Sequence, residues 1–355
     1  MIIEPGATIG ILGGGQLGRM LAIAAAQLGY RCHIYAPDAV SPAADVAAEW
    51  TQAGFDDEEA LRRFADAVDV VTYEFENIDA TPIEALARWV EVRPSVHALR
   101  VAQDRLAEKD FVASLGGRPA PYRAVNSRAE LDAAIAEIGT PAILKTCRFG
   151  YDGKGQARLM TPADADQAWR TIGGQPSVLE GFVRFEREFS VLLVRGTDGA
   201  TLTWDSPDNE HRNGILDRST APAGPLIREQ AGEAAALARA VADALDYVGV
   251  LTLEFFASEA GPVFNEMALR VHNSGHWTIE GARTSQFENH IRAICGLPLG
   301  ATGLSAARVE MRNLIGDDVN DWQRLLADPN AHLHLYGKRD ARPGRKMGHV
   351  TRLEY

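Results

Sequence analysis

The chain has 355 residues, of which 46% are hydrophobic and 24% are charged, a composition typical of a folded globular protein of two or three domains rather than of a disordered chain. Its formal net charge of −12 argues against general binding of nucleic acid or of an anionic membrane surface. No apolar run reaches the roughly 18 residues of a membrane span, and no secretory signal is expected because the first residues lack its basic region. The three cysteines, Cys32, Cys147 and Cys295, are far apart, which predicts no disulfide framework and a reducing cytoplasm.

The N-terminal third alternates between strands and helices. Apolar runs at 8–12, 31–36 and 70–75 predict strands, and helical composition follows at 16–28 and 57–68. This alternation is typical of a parallel sheet with helices on both faces. A charged amphipathic helix is predicted at 101–115, and the glycine- and proline-rich segment 116–121 then predicts a domain boundary.

A second α/β unit and an antiparallel region follow. Helices are predicted at 129–138 and 163–169, and strands at 142–145 and 178–183. Strand 188–195 is expected to pair with 201–204 as a hairpin. An alanine-rich helix is predicted at 229–245, and further strands at 249–256, 262–267, 332–336 and 349–353.

A glycine-rich turn follows the first predicted strand. Gly13-Gly14-Gly15-Gln16-Leu17-Gly18 fits GxGxxG, and Asp38 ends the next strand about twenty residues on, as in dinucleotide-binding proteins. Glycines let the backbone approach a phosphate, and the helix N-terminus supplies N–H donors. Another phosphorylated ligand, or a tight turn that binds nothing, would also explain the pattern.

A second glycine-rich segment follows Lys145, which ends an apolar strand. It reads Arg148-Phe149-Gly150-Tyr151-Asp152-Gly153-Lys154-Gly155-Gln156. Glycine loops with lysines cover nucleotide phosphates and exclude water. This is not a Walker A loop, because GxxxxGK[ST] is absent. A solvated loop with scattered charges is the alternative.

Acidic residues interrupt two neighbouring apolar strands. Glu254 lies in one strand and Asn265-Glu266 in the next. Burying an unpaired carboxylate costs several kcal/mol, whereas two acids on adjacent strands could hold Mg²⁺, which prefers oxygen ligands. The pattern predicts a magnesium site, and the alternative is an ion pair between Glu254 and Arg270.

Two polar segments complete the candidate sites. The segment 270–277, with Arg270, His272 and Asn273, predicts a loop that binds an anion. The densest basic cluster, 338–349, is short and lacks interleaved aromatic residues, which favours a phosphate pocket over nucleic-acid binding. A solvated basic tail is the alternative.

In this order the segments resemble the ATP-grasp superfamily and, within it, the N5-carboxyaminoimidazole ribonucleotide synthetase family. The resemblance covers essentially the whole chain. The chain departs from the family at Leu269, where a proline usually precedes the arginine of the 270–277 segment. The residues that carry the resemblance are Lys145, Glu180–Val183, Glu188, Glu254, the turn 13–18, Tyr73-Glu74-Phe75-Glu76-Asn77, the loop 150–156, Glu210-His211-Arg212 and the stretch 265–277.

The resemblance implies an α/β fold with three parts. These are a Rossmann-like N-terminal domain at 1–100, an ATP-grasp domain at 101–298 with a small lid subdomain at about 122–184, and a small β-rich C-terminal domain at 299–355. It also implies ATP-dependent carboxylation of 5-aminoimidazole ribonucleotide by bicarbonate, through carboxyphosphate, in purine biosynthesis. Two Mg²⁺ ions and a homodimer are implied as well.

The resemblance further implies the residues of each site. The ATP site would contain Arg105, Lys145, Gly150, Tyr151, Asp152, Gly153, Lys154, Gly155, Gln156, Glu180, Gly181, Phe182, Val183, Glu188, His211, Asn265 and Glu266. The ribonucleotide site would contain Gly15, Gln16, Leu17, Glu74, Glu76, Tyr151, Arg270, His272, Asn273, Lys338, Arg345 and Lys346. Catalytic roles would belong to Tyr151, Asp152, Lys154, Arg270, His272 and Lys346, and the metal ligands would be Glu254, Glu266 and Asn265.

Three alternative functions remain open from the sequence. A formate-dependent ATP-grasp formyltransferase would share the ATP residues. An NAD-dependent oxidoreductase would explain the turn 13–18 and Asp38, but would leave Glu254, Glu266 and the loop 150–156 unexplained. A catalytically silent nucleotide-binding module is disfavoured by the intact set of acids and lysines.

Overall fold

The computed structural model describes residues 2–148 and 155–355, and within them three β-sheets pack against helices. The strands are β1 Thr8–Leu12, β2 Arg31–Ala36, β3 Glu49–Gln52, β4 Val70–Tyr73, β5 Tyr122–Val125, β6 Ala142–Thr146, β7 Gln156–Leu159, β8 Ser177–Gly181, β9 Arg187–Arg195, β10 Thr201–Thr203, β11 Asp208–Arg212, β12 Ile215–Ala221, β13 Gly249–Ser258, β14 Gly261–Ala268, β15 Arg308–Ile315, β16 Ala331–Leu335 and β17 Lys346–Glu354. The helices are α1 Gln16–Gln27, α2 Glu58–Asp66, α3 Ala80–Leu86, α4 Val96–Ala102, α5 Arg105–Ser114, α6 Arg128–Ile138, α7 Ala165–Thr171, α8 Pro225–Ala244, α9 Thr278–Gly281, α10 Gln286–Ile294 and α11 Trp322–Leu326.

The N-terminal sheet is parallel, with the strand order β3-β2-β1-β4. Ile9 and Ile11 of β1 and Leu21 of α1 are fully buried in one shared core. Leu12 lies opposite Tyr73, so β1 and β4 end side by side. Parallel strands end at the same edge of a sheet, and the residues that follow them, Gly13 and Glu74, therefore emerge together.

The small sheet is antiparallel, with the order β5-β8-β6-β7. Leu131 of α6, Leu144 of β6 and Leu179 of β8 are fully buried in its core. Lys145 pairs with Val178, two residues before Glu180 on β8. Side chains two apart on a strand share a face, so Lys145 and Glu180 can reach each other.

The large sheet joins the middle of the chain to its C-terminal end. Its order is β14-β13-β9-β11-β12-β15-β17-β16, and β10 pairs with β9. Arg218 of β12 lies opposite Arg312 of β15, which continues the sheet into the C-terminal strands. Because β17 begins at Lys346, this continuity brings part of the basic cluster to the same sheet as Glu254.

Most predicted elements are present with small shifts of their ends, but one prediction is wrong. The single helix expected at 101–115 is two helices, α4 and α5, separated at Gln103–Asp104. The Asp104 carboxylate accepts hydrogen bonds from the N–H groups of Leu106 and Ala107 at 3.0 and 3.2 Å, which begins a new helix. The strand expected at 178–183 ends at Gly181.

Four strands of the large and N-terminal sheets were not predicted: β3, β11, β12 and β15. The sequence of β11, Asp-Asn-Glu-His-Arg, has no apolar alternation, and its pairing with β9 and β12 alone explains it. None of the helices in the two described ranges has the length and apolar character needed to cross a membrane. Cys32, Cys147 and Cys295 are buried and free.

Candidate active site

A β-bulge lies where the two acidic strands meet. Glu254 of β13 is opposite Glu266 of β14, whereas Phe255 is opposite Phe264. Asn265 is therefore an extra residue in β14. Side chains normally alternate between the two faces of a strand, and an extra residue interrupts that alternation. The side chains of Asn265 and Glu266 therefore need not point to opposite faces of the sheet.

Glu254 is paired with a histidine. Its Oε1 lies 2.9 Å from His272 Nε2. Burial acts to raise the pKa of the Glu254 carboxyl, but His272, with His211 and Lys346 nearby, outweighs burial and lowers the pKa to about 2. Arg270, the alternative partner suggested by the sequence, instead binds Glu76 at 2.7 Å. Glu254 is therefore an ionised carboxylate at neutral pH.

Helix α5 holds the bulged strand around Glu266. Arg105 Nη1 lies 3.2 Å from Glu266 Oε2. On either side of Glu266, Lys109 Nζ donates to the Asn265 carbonyl at 3.3 Å and the Met267 N–H donates to Glu108 Oε1 at 2.6 Å. A bulge leaves backbone groups without strand partners, and here α5 supplies them.

The donor set at the bulge fits magnesium. Mg²⁺ is usually held by one or two carboxylates, with the remaining ligands supplied by water and substrate phosphates. Glu254 and Glu266 provide two carboxylates and Asn265 an amide oxygen. Among residues 2–148 and 155–355, no three His, Cys, Asp or Glu side chains converge on one metal position. Water or oxygen atoms of a bound ligand would complete the coordination of an ion held there.

A buried charge cluster joins the small sheet to α5. Lys145 Nζ donates to Glu180 Oε2 at 2.8 Å, and Lys109 Nζ lies 3.2 Å from Glu180 Oε1. Lys109 is fully buried and Glu180 nearly so. Burial acts to raise the pKa of Glu180, but Lys145, Lys109 and Arg105 outweigh it and lower the pKa to about 2. Burial lowers the pKa of Lys145.

The charge balance of this cluster favours an anion. Burial raises the pKa of Glu108 to about 8, so this side chain is mainly protonated at neutral pH. The cations Arg105, Lys109 and Lys145 then face the carboxylates of Glu180 and Glu266. An excess of positive charge in a largely buried cluster is suited to binding a phosphate group.

Lys109→Met is expected to lower the free energy of unfolding by about 2 kcal/mol, because it removes a hydrogen bond to the Asn265 carbonyl and a buried ion pair with Glu180. Urea denaturation measures this change. Arg123→Met is the matched control, since Arg123 and Glu137 form an exposed ion pair and should contribute less than about 1 kcal/mol. Equal effects of the two substitutions would contradict a structural role for Lys109.

Other residues predicted for ATP lie on or beside the small sheet and on β9 and β11 of the large sheet. Gln156 pairs with Lys145 on the small sheet, and the Gly155 carbonyl accepts from the Thr146 N–H at 2.8 Å. Phe182, just past the end of β8, is exposed. Glu188 Oε2 lies 3.0 Å from His211 Nδ1. Gly150, Tyr151, Asp152, Gly153 and Lys154, which were predicted from the sequence, lie outside the described residues.

Two nearby carboxylates raise the pKa of His211. Burial acts to lower the pKa of His211, but the adjacent Glu188 carboxylate and the negative charge of Glu254 raise it above the ordinary value. The charge of His211 in turn lowers the pKa of Glu254. This coupling connects the predicted nucleotide residues with the predicted metal ligands.

A carboxylate occupies the glycine-rich turn after β1. The Gly15 and Gly18 N–H groups donate to Glu74 Oε1 and Oε2 at 2.8 and 3.3 Å. Burial raises the pKa of Glu74, although the bond from Gly15 acts in the opposite direction. A dinucleotide pyrophosphate would need these N–H groups, and Asp38 is exposed. This arrangement argues against the NAD interpretation of the sequence.

Gly15→Ala is expected to reduce the free energy of unfolding by about 1–3 kcal/mol, because the added Cβ would lie 2.8 Å from Glu74 Oε1 and displace a buried hydrogen-bonded carboxylate. Thermal or urea unfolding measures the loss. Gly232→Ala, at an exposed position of α8 with no atom within 4 Å of the new Cβ, should instead stabilise by about 0.5–1 kcal/mol. A stabilising Gly15→Ala would refute the close contact.

Glu76 connects the N-terminal sheet with the segment 269–277. Its Oε1 accepts from Arg270 Nη2 at 2.7 Å and its Oε2 accepts from the Leu269 N–H at 3.3 Å. A proline at 269 has no N–H and could not form the second bond. The departure from the family pattern therefore adds a contact that holds Arg270 in place.

The remaining predicted substrate residues lie on neighbouring elements. Asn273 exchanges side-chain hydrogen bonds of 2.9 and 2.8 Å with Asn313 of β15. Lys338 Nζ donates to the Lys346 carbonyl at 2.8 Å, and its charge acts on Glu74. Arg345 Nη1 donates to the Asp340 carbonyl at 3.0 Å. The structure thus brings Lys338 and Lys346 toward Glu74 and Glu254, respectively.

Two residues of this site were not predicted from the sequence. Glu108 and Lys109 were not candidates, because charged residues in an amphipathic helix usually face solvent. Their spacing from Arg105, at i+3 and i+4, places all three on one face of α5. That spacing is the signal that could have identified them.

The chain matches three family models in succession. Residues 6–103 match a ribonucleotide synthetase preATP-grasp domain, residues 110–287 an ATP-grasp domain, and residues 310–354 a phosphoribosylaminoimidazole carboxylase C-terminal domain. These matches confirm the predicted fold class.

One relative and two solved structures are each similar to the chain over almost its whole length. The N5-carboxyaminoimidazole ribonucleotide synthase of Brucella melitensis biotype 1 is 50% identical over 356 residues, which cover 99% of this chain and 98% of that protein. A crystal structure of an N5-carboxyaminoimidazole ribonucleotide synthetase in complex with ADP is 43% identical, with a TM-score of 0.95 and coverage of 99% and 94%. The N5-carboxyaminoimidazole synthase of Aspergillus clavatus, solved with ADP and 5-aminoimidazole ribonucleotide, is 33% identical, with a TM-score of 0.92 and the same coverage. With this identity over the full length and all three family domains in order, the chain belongs to the N5-carboxyaminoimidazole ribonucleotide synthase family.

Proposed function

We propose that the protein is an ATP-dependent ligase that carboxylates 5-aminoimidazole ribonucleotide with bicarbonate in purine biosynthesis. The observation that carries the proposal is the facing pair Glu254 and Glu266 at the bulge. Arg105 of α5 contacts Glu266, and His272, near Arg270 in sequence, contacts Glu254. This arrangement combines metal ligands, phosphate-binding cations and a separate polar segment for a second substrate.

In the proposed reaction, a bicarbonate oxygen attacks the γ-phosphorus of ATP, and ADP leaves. The exocyclic amine of the ribonucleotide then forms a C–N bond with the carboxyl carbon of carboxyphosphate, phosphate leaves, and the amine loses a proton. Mg²⁺, held by Glu254, Glu266 and Asn265, would neutralise charge on the phosphate oxygens. Arg105 and Lys145 would bind the nucleotide phosphates, and Glu180–Val183, Glu188 and His211 the rest of ATP.

The second substrate would lie between the N-terminal sheet and the segment 270–273. Gly15, Gln16, Leu17, Glu74 and Glu76 would line its binding site, and Lys338, Arg345 and Lys346 would bind its phosphate. Arg270 and His272 would contact the reacting groups. Tyr151, Asp152 and Lys154, which lie outside the described residues, keep their proposed catalytic roles from the sequence, and their loop would exclude water that hydrolyses carboxyphosphate.

The finer organisation of the protein is also part of the proposal. We retain the division into 1–100, 101–298 and 299–355, with the lid at about 122–184, a homodimer, two Mg²⁺ ions and a cytoplasmic location. Sedimentation equilibrium tests the dimer directly, and a monomer at assay concentration would refute it.

The test of the function is an ADP-release assay with ATP, Mg²⁺, bicarbonate and 5-aminoimidazole ribonucleotide, in which each component is omitted in turn. Full turnover is expected only with all four. Formate in place of bicarbonate is the control for a formyltransferase, and NAD⁺ binding is the control for an oxidoreductase. Turnover that needs formate, or that does not need the ribonucleotide, would refute the proposal.

A further inference from the structure

A buried glutamine at the start of α10 holds the backbone of His272. The His272 N–H donates to Gln286 Oε1 at 2.9 Å, and Gln286 Nε2 donates to the His272 carbonyl at 2.7 Å. One side-chain amide thus pairs with both backbone groups of a single residue, as a neighbouring antiparallel strand would. Gln286 is fully buried, so its amide has no access to bulk water as an alternative partner.

This pairing needs one orientation of the Gln286 amide. The His272 N–H requires an acceptor and the His272 carbonyl requires a donor. A flipped amide would place two N–H groups face to face and two oxygens face to face, and both contacts would be repulsive. The backbone of residue 272 is therefore held at two points, which restricts its rotation more than a single hydrogen bond would.

The backbone of Gln286 holds the same segment at a third point. The Gln286 N–H donates to Thr278 Oγ1 at 2.9 Å, and this hydroxyl donates to the Gly275 carbonyl at 2.6 Å. Helix and segment approach so closely that a Cβ on Gly275 would lie 2.7 Å from Gln286 Oε1. The first residue of α10 therefore fixes the segment 272–278 through both its side chain and its backbone.

Helix α10 is itself attached to the N-terminal sheet and to the large sheet. One turn after Gln286, His290 Nε2 lies 2.8 Å from Thr72 Oγ1 of β4, and the Val250 N–H of β13 donates to His290 Nδ1 at 3.1 Å. Strand β13 also carries Glu254. A functional side chain is placed most precisely when rigid elements support it, and α10 is supported by two of the sheets that surround the candidate site.

We infer that Gln286 is a positioning residue for the proposed carboxylation, and that it holds the backbone of residue 272 so that the His272 side chain reaches the reacting groups. The inference rests on the proposed function, in which His272 contacts those groups. Because a side chain moves with its backbone, loss of the Gln286 contacts would displace the His272 ring. A misplacement of about 1 Å in a reacting geometry costs up to about a hundredfold in rate.

The first test is Gln286→Met, which removes both side-chain bonds but keeps an unbranched side chain of similar length. The kcat of ribonucleotide-dependent ADP formation should fall by about tenfold to a hundredfold. The KM for ATP should change little, because Lys145 and Glu180 belong to the small sheet. A wild-type kcat in folded Gln286→Met would overturn the inference.

Asn289→Leu is the matched control, because the same helix repeats this arrangement at a residue that is not predicted for either site. The Gly300 N–H donates to Asn289 Oδ1 at 2.8 Å, Asn289 Nδ2 donates to the Gly300 carbonyl at 3.0 Å, and Asn289 is fully buried. Both substitutions should lower the free energy of unfolding to a similar extent, but Asn289→Leu should retain kcat. Equal losses of kcat in the two variants would indicate a general loss of structure and would overturn the inference.

A double-mutant cycle tests whether Gln286 acts through His272. In protein that already carries His272→Ala, Gln286→Met should lower kcat by less than about twofold, because the side chain that it positions is absent. Independent substitutions instead multiply their effects on kcat. A Gln286→Met effect of the same size with and without His272 would overturn the inference.

Hydrogen exchange of the wild-type protein covers the case in which Gln286→Met does not fold. The His272 amide should be protected from exchange, as the Gly300 amide should be, because each is bonded to a buried side-chain amide. Rapid exchange at His272 would overturn the inference. A wild-type protein with a protected His272 amide that forms no ADP with the ribonucleotide would refute the proposed function instead, while supporting a fixed backbone at residue 272.

Discussion

Glu266→Gln is expected to reduce ADP formation more than about a hundredfold with little change in folding. The amide keeps the shape of the side chain but removes a negative charge opposite Glu254. Loss of a charged metal ligand removes several kcal/mol of stabilisation, and about 1.4 kcal/mol corresponds to a tenfold change in rate. Steady-state ADP release measured over a range of Mg²⁺ concentrations gives the effect, and excess Mg²⁺ should restore part of the activity.

Glu310→Gln is the matched control for this substitution. Glu310 lies in the same sheet and pairs with Arg218 at 3.3 Å, much as Glu266 pairs with Arg105 at 3.2 Å. Removing this charge should leave turnover intact. Near wild-type ADP release by Glu266→Gln, with a normal unfolding transition, would refute the assignment of Glu266 as a metal ligand.

Features that depend on neighbouring residues in sequence were predicted well. The strand β1, the glycine-rich turn and α1 follow directly from an apolar run, three glycines and a helical segment. The facing of Glu254 and Glu266 was also expected, because a short turn at 259–261 joins their strands and makes them antiparallel. In these cases the residues that determine the structure all lie within one supersecondary unit.

Features that depend on tertiary contacts were not predicted. The bulge at Asn265 results from the pairing of β14 with β13. Lys109 is buried where α5 contacts Glu180 of the small sheet. The polar strand β11 is stabilised by the neighbours that enclose it, and this is also where Asn209 becomes buried. A polar residue in a sequence gives no sign of such partners, because its ordinary environment is water.

The sequence around Asp104 can be interpreted as the middle of one helix or as the start of a new one. The charged sequence at 101–115 has helical composition throughout, but an aspartate can equally cap a new helix. The separation into α4 and α5 gives α5 its own start, with Arg105 as its first residue. Arg105, Glu108 and Lys109 can then face Glu266 and its neighbours together.

Lys346→Ala is expected to raise the KM for 5-aminoimidazole ribonucleotide by about tenfold to a hundredfold, since a charge-assisted contact with phosphate is worth about 1.5–3 kcal/mol. It should also lower kcat, because the Lys346 charge acts on Glu254 and His211.

Arg345→Ala should have a weaker effect, since Arg345 already donates to the Asp340 carbonyl. Arg339→Ala, at an exposed position of the same basic cluster, is the control and should change neither constant. Steady-state kinetics with each substrate varied separates the outcomes: unchanged constants for Lys346→Ala would indicate a solvated tail, and a change confined to the KM for ATP would move Lys346 to the nucleotide site.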